Sequence, residues 1–215
     1  MAVTPRKRPR QQRAQAMVEA IVEAAARIFE SEGPSGYTTN AIAERAGASI
    51  GSLYQYFPDK DAITAALIRR ETARFLADAR ESARAPDWAT ALQILIDAAV
   101  GHQLRRPDLA RLIDVEEARL PLQHENRGVT EVLEQLIDAA LFRPAAPRIP
   151  DRQEAAGDLI ALVKGMVDAA GERGEEDAER LGTRVRAAAF GYLATMERND
   201  DVDRRVSLER KPARP

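Results

Sequence analysis

Apolar residues recur along this chain at the spacing of helices. From Gln12 to Glu32 they stand at Val18, Ile21, Val22, Ala25, Ile28 and Phe29, the i, i+3, i+4, i+7 stripe of a helix with one buried face. Gly33-Pro34, with Gly36 just beyond, stops that helix. A second, short helix begins at Thr38 or Thr39, both good N-caps, carries Ile42 and Ala46 on one face and stops at Gly47. A third, capped by Ser49, holds Leu53 and Phe57 four apart and closes at Pro58. Asp59 then caps a long fourth helix to about Arg84, with an inner stripe of Ile63, Leu67, Arg70/Glu71 and Arg74/Phe75.

Further along, Pro86-Asp87 opens a fifth helix (Trp88, Leu92, Leu95, Ile96, Ala99, Val100) that breaks near Arg106-Pro107. A sixth runs from about Asp108 to Arg119, a seventh over 123–142, an eighth over 151–171 and a ninth over 176–198, with the proline-rich stretch 143–150 as a loop. Residues 1–11 and 199–215, charged and proline-containing, are expected to be disordered. No repeat occurs, and no strand-like alternation survives beyond four residues. The pattern predicts an all-α fold of about nine helices.

Composition narrows the chemistry. Among 215 residues there is no cysteine, which excludes a disulfide scaffold and thiolate metal sites. Two histidines, His102 and His124, make a histidine-based metal or catalytic centre improbable. No run approaches the ~18 apolar residues of a membrane span, so a cytoplasmic protein without membrane partners is expected. The net charge of −2 hides an asymmetry: the first sixteen residues carry five positive charges and no negative one. A basic arm on an acidic body suits a polyanion bound at one end, and equally suits an ordinary solubilising terminus.

The segment 38–60, TTNAIAERAGASIGSLYQYFPDK, has the arithmetic of a helix-turn-helix: about eight residues, a tight turn at Gly47, and about eight more. Ile42, Ala46, Leu53 and Phe57 face the core, and small Ala43 and Ala46 let the short helices cross closely. The polar residues left over suit phosphates and base edges.

Tyr37-Thr38-Thr39, Ile42-Ala43, Ala46-Gly47, Ser49, Gly51, Leu53-Tyr54, Tyr56-Phe57 and Lys60 together resemble the DNA-binding domain of TetR-family transcriptional regulators, over about residues 12–70. The resemblance implies a nine-helix homodimer whose third helix enters the DNA major groove and whose C-terminal body binds an effector. It divides the chain into a basic arm (1–11), a helix-turn-helix domain (12–58), an effector-binding and dimerisation domain (59–198) and a tail (199–215).

Within that frame each residue has a chemical reason. Thr38 caps the second helix, which alone explains it; a phosphate contact is its second reading. Thr39 and Asn40 lie in the first turn, where Asn40 matches either a phosphate or the N6/N7 edge of adenine. Ser49 can cap the third helix and touch a phosphate at once. Ile50 is half-buried packing or a partner for a thymine methyl, where many relatives carry a polar or basic residue. Gly51 lowers helix stability but lets the backbone approach DNA, and Ser52 can bond a base or a phosphate. Tyr54 lies off the Leu53 face and can donate to a phosphate; Gln55 and Tyr56 continue the surface, Gln55 matching an adenine edge and Tyr56 reading equally well as a buried residue. Lys60 stands in a first helical turn, a poor place for a cation, where a phosphate partner would offset the helix dipole. It is one of four lysines against 28 arginines.

Helices eight (Leu159, Ile160, Leu162, Val163, Met166, Val167) and nine (Leu181, Val185, Ala188, Ala189, Tyr192, Leu193, Met196) are the expected homodimer face, with Ala187 and Gly191 permitting close approach; the alternative is that both faces complete the core of one copy. Trp88, His102 and Glu116 are the candidate effector contacts, with Arg119 and His124 as further polar candidates and Phe75, like Trp88, as a candidate wall of the pocket. The expected function is a repressor that binds a palindromic operator and is released by a small molecule. An activator of the same family, an all-helical enzyme and a protein-interaction module are the alternatives. Without a Gly-rich phosphate loop or clustered histidines, no catalytic residue, metal or cofactor is expected.

Overall fold

The computed structural model describes the backbone of residues 9–209 and the side chains of residues 11–197. Among these there are nine α-helices, a single 3-10 turn and no strand. They are α1 (Pro9–Gly36), α2 (Thr39–Arg45), α3 (Ile50–Tyr56), α4 (Lys60–Arg80), α5 (Trp88–Leu104), α6 (Pro107–Arg119), α7 (Gln123–Leu141), α8 (Arg152–Glu172) and α9 (Ala178–Glu209), with the 3-10 turn Glu81–Arg84 after α4.

The boundaries follow local chemistry. Gly33 (φ 65°, ψ −163°) breaks the regular path of α1, a conformation that side-chain-bearing residues avoid. The Thr38 hydroxyl accepts from Ala41 N at 3.2 Å and the Ser49 hydroxyl from Ser52 N at 3.1 Å, capping α2 and α3. Between them Gly47 takes φ 68°. The N–H groups of Gly47 and Ala48 donate to Glu44 O at 3.0 Å and Ala43 O at 2.9 Å, a Schellman closure of α2. Asp59 caps α4 through Ala62 N at 2.7 Å, and Asp87 caps α5 through Thr90 N at 2.7 Å.

Two ends differ from expectation. α1 starts at Pro9, so residues 9–11 are helical; proline is accepted in a first helical turn, where its missing N–H is no loss. The remaining expected disorder, residues 1–8, lies outside the described residues. α9 runs to Glu209, so residues 199–209 continue the helix instead of forming a tail. Nothing interrupts helical geometry there, since no glycine or proline occurs between Gly191 and Pro212. Residues 210–215 also lie outside the described set.

The chain forms two compact units, and neither is contiguous in sequence. The first runs to Thr72 and regains Asp108–Leu122. Its core joins Ile21, Ala25 and Ile28 of α1, Ile42 of α2, Leu53 of α3, Ile63 and Leu67 of α4, and Leu109, Leu112 and Ile113 of α6. Besides apolar packing, Arg119 of α6 grips both oxygens of Asp61 in α4, at 2.9 and 2.6 Å. Arg70 of α4 reaches Glu23 of α1 at 2.9 Å.

The second unit holds Ala73–Pro107 and the chain from Gln123 onward. Leu92 and Ile96 of α5, Ile137 and Leu141 of α7, Leu159 and Val167 of α8, and Leu181, Val185, Ala189 and Leu193 of α9 form its core. The Arg143 guanidinium donates to the carbonyl oxygens of Ser82, Ala83, Ala85 and Asp87, tying the turn between α4 and α5 to the end of α7. Among the described residues no helix is long and apolar enough to cross a membrane.

Candidate nucleic-acid interface

Helices α2 and α3 are seven residues each, too short to persist alone, so their buried side chains hold them against the rest of the first unit. Ile42 and Leu53 are fully buried, and Phe57, at the end of α3, is also inside. This fixes which residues remain outside. Tyr54 is 50% exposed, Ile50 39% and Tyr56 38%, and these three are among the few large apolar or aromatic side chains exposed among the described residues. Asn40, Gly51 and Gln55 are exposed beside them, Thr39 and Ser52 half-buried, and Thr38, Ser49 and Lys60 exposed at the margins.

The face is knitted by its own hydroxyls. Tyr54 OH and Thr39 Oγ1 lie 3.3 Å apart, linking α3 to the first turn of α2. That pair holds two O–H groups and needs one for the mutual bond, so one donor is left for an outside acceptor. Ser49 Oγ donates to Ser52 Oγ at 3.0 Å, which engages the Ser49 proton and leaves that of Ser52 available. At Gly51 an added Cβ would meet only Ser49 Oγ, at 4.0 Å, so the backbone there lies open.

Behind this face sits a residue that sequence reading treated only as part of the motif. Tyr37 is 5% exposed, its ring edge-on to Phe29 with centroids 6.0 Å apart, and its hydroxyl 3.1 Å from Thr64 Oγ1. Burial pushes its phenol above the ordinary value; the Thr64 hydrogen bond works the other way, while Glu116 and Asp61 add to the rise. Lys60 Nζ stands 5.6 Å from the centre of the same ring, so a cation–π contact holds this lysine at the edge of the face. The signal for Tyr37 was available: an aromatic directly before a capping threonine, placed to staple the helix entry.

The three candidate effector residues do not gather in one unit. Glu116 belongs to the first, where it pairs with Arg119 at 2.6 Å. Trp88 and His102 belong to the second, Trp88 with its ring 5.4 Å from Phe190 and His102 with its ring 5.2 Å from Phe75. His124 is exposed at the start of α7. A residue that the sequence reading passed over is Gln103, 4% exposed in α5, whose Nε2 has no hydrogen-bond partner. It packs against Gly171 of α8, where a Cβ would fall 2.1 Å from that nitrogen. The sequence does not single it out, because α5 also carries Gln93, Asp97 and His102 among its apolar residues.

With this geometry in hand, comparison with known proteins is decisive. Residues 21–67 match the family described as bacterial regulatory proteins, tetR family, and residues 87–193 match the tetracyclin repressor-like C-terminal domain. The chain belongs to the TetR family. It is a transcriptional regulator with a DNA-binding helix-turn-helix, not an enzyme. Its relatives include an uncharacterized HTH-type transcriptional regulator of Mycobacterium tuberculosis, found in strains CDC 1551 / Oshkosh and H37Rv. Each is 28% identical over 149 residues, which cover 66% of this chain and 69% of the relative. A transcriptional regulator from Rhodococcus sp. Rha1 shares the TetR fold with a TM-score of 0.70 at 23% identity, over 84% of this chain and 97% of that one. The fatty acid degradation regulator FadR from Bacillus halodurans does so with a TM-score of 0.67 at 21% identity, over 87% and 97%.

Proposed function

We propose that this TetR-family protein is a repressor that binds a palindromic operator as a homodimer and is released by a small-molecule effector. The observation that carries the reading is the exposed hydroxyl-and-amide face of α2 and α3 on a fully buried base. Tyr54 with Thr39, Ser52 and Lys60 face phosphates. Asn40, Ile50, Gly51 and Gln55 meet base edges, and Tyr56 flanks them. Thr38 and Ser49 contribute through their caps, which set the path of the two helices.

Homodimerisation runs through α8 and α9. Gly165 of α8 and Ala187, Gly191 and Ala194 of α9 are exposed and small, which supports close approach by a second copy. A dimer also sets two reading helices ~34–36 Å apart, the spacing of successive major grooves. The effector belongs to the second unit, where the unpartnered Gln103 Nε2 is a donor for an acceptor atom. An effector that favours one conformation shifts the population of binding-competent dimers, and one that binds both equally switches nothing.

Gel shifts of the full-length protein with DNA flanking its own coding gene test the reading. Tyr54→Ala and Lys60→Ala each lower affinity by about tenfold, the loss of one charge-assisted hydrogen bond, with unchanged helical content. Wild-type affinity in both variants would refute the assigned face.

A further inference from the structure

The outward face of α3 carries no charge. Helical spacing places Ile50 with Tyr54 and Gly51 with Gln55 on adjoining exposed rows, while Leu53 and Phe57 are buried. A reader of guanine usually presents arginine or lysine, whose paired donors match the O6 and N7 acceptors. Neither is present between Ile50 and Tyr56. What the helix offers instead is an aliphatic side chain, a bare backbone, a phenol and a carboxamide.

From this we infer that the operator half-site is A·T-rich under α3, and that Ile50 selects a thymine through its 5-methyl group. This rests on the DNA-facing surface proposed above and adds the chemistry of the sequence it accepts. Ile50 is already exposed at the mouth of the helix, and its contact with a methyl removes apolar surface of both partners from water. Over a G·C pair the same side chain would cover the cytosine amino group or guanine O6 without offering either a hydrogen bond, an unfavourable desolvation. Gln55 works in the same direction: its carboxamide presents one donor and one acceptor, the complement of adenine N7 and N6–H. Gly51, with open space where a Cβ would stand, lets both neighbours reach the floor of the groove.

The experiment is selection of binding sites by the full-length protein from randomised duplexes, followed by scanning the selected site with deoxyuridine in place of each thymidine. Deoxyuridine keeps the base pair and removes only the methyl. One thymine per half-site is expected to lose about fourfold in affinity on this exchange, the effect of one methyl group. In Ile50→Ala that loss vanishes, and selection with the variant relaxes at the same position. Because Ile50 is exposed, the variant keeps its fold. A specific site with G·C pairs at the position that relaxes in Ile50→Ala, tolerance of uracil at every thymine, or a methyl effect that persists in Ile50→Ala would overturn the inference while leaving operator binding intact. Failure to select any specific site would overturn the proposed function together with it.

Discussion

One guanidinium, that of Arg143, donates to four backbone carbonyls between Ser82 and Asp87, where α4 gives way to α5 and the regular helical ladder is interrupted. Arginine's planar fork reaches acceptors on both sides; a lysine ammonium is a point donor on a flexible stem. Arg143→Lys therefore leaves the Ala83 and Ala85 carbonyls of a partly buried turn without partners, while those of Ser82 and Asp87 keep the N–H groups of Ala85 and Ala91, and it is expected to destabilise by about 1–3 kcal/mol. Urea denaturation followed by circular dichroism measures it, and an unshifted midpoint would show that water serves those carbonyls equally well. A second residue-scale effect concerns Asp61. The Arg119 hydrogen bond, ahead of the opposing effect of burial and the charges of Arg119 and Lys60, holds its carboxyl below the ordinary value. A carboxylate depressed in the folded state adds stability above its unfolded pKa, and that gain is lost as pH falls through the folded one. Wild type should thus exceed Asp61→Asn in stability at neutral pH and converge with it well below about pH 4. The gap is small, because both side chains are 48% exposed. A gap that stayed constant down to pH 2 would remove the ion pair from the explanation.

At the scale of elements, two glycines four residues apart have opposite roles. Gly47 sits at φ 68° with nothing within 4 Å of a prospective Cβ, so Gly47→Ala strains the backbone alone, at about 1–2 kcal/mol. Gly51 lies in α3 with ordinary geometry, and Gly51→Ala is expected to stabilise the fold by about 0.5–1 kcal/mol while weakening operator binding, since the methyl intrudes on the DNA face. Thermal denaturation beside gel shifts separates the two; a Gly51→Ala protein that binds as wild type would place that backbone away from DNA. The turn chemistry that makes this segment readable was visible in the sequence. Gly33-Pro34, Ser49, Pro58, Asp87 and Pro107 each mark a boundary within a residue or two of the one observed, because caps and breakers act locally. The outward set of Ile50, Tyr54, Gln55 and Tyr56 was legible for a related reason: Leu53 and Phe57 fix the inner face of so short a helix. What periodicity could not supply was long-range packing. Thr64 of α4 is buried against Tyr37, and Arg70 reaches back to Glu23 of α1, positions set by partners far along the chain. Gln103 was indistinct beside the polar His102, Arg105 and Arg106, and the hydroxyl pair of Thr39 and Tyr54 spans two helices. The continuation of α9 was masked by charge, which reads as solvated chain although it is compatible with a helix.

For the whole molecule, the proposed seam of α8 and α9 makes assembly testable. The small exposed residues there leave room for a second backbone, and a long cation in that space would hold two copies apart. Gly191→Arg is expected to sediment as a monomer at micromolar concentration, keep its helical content, and lose cooperative binding to a palindromic site. A dimer that survives this change would move the interface to another face. Operator symmetry would then need a different source, since one copy carries one reading helix.

The excursion of the chain through α6 has an implication for engineering. Leu109, Leu112, Ile113, Leu120 and Leu122 are part of the same oily interior as α1 to α3, although the stretch Ala73–Pro107 of the other unit separates them from Thr72. A fragment severed after Thr72 would therefore leave a raw hydrophobic wound where those five side chains belong. Swapping specificities between such regulators by a single cut would transplant the letters without the spine that binds them. The graft that respects this architecture carries two pieces of chain, and the second of them lies outside the helix-turn-helix match at residues 21–67.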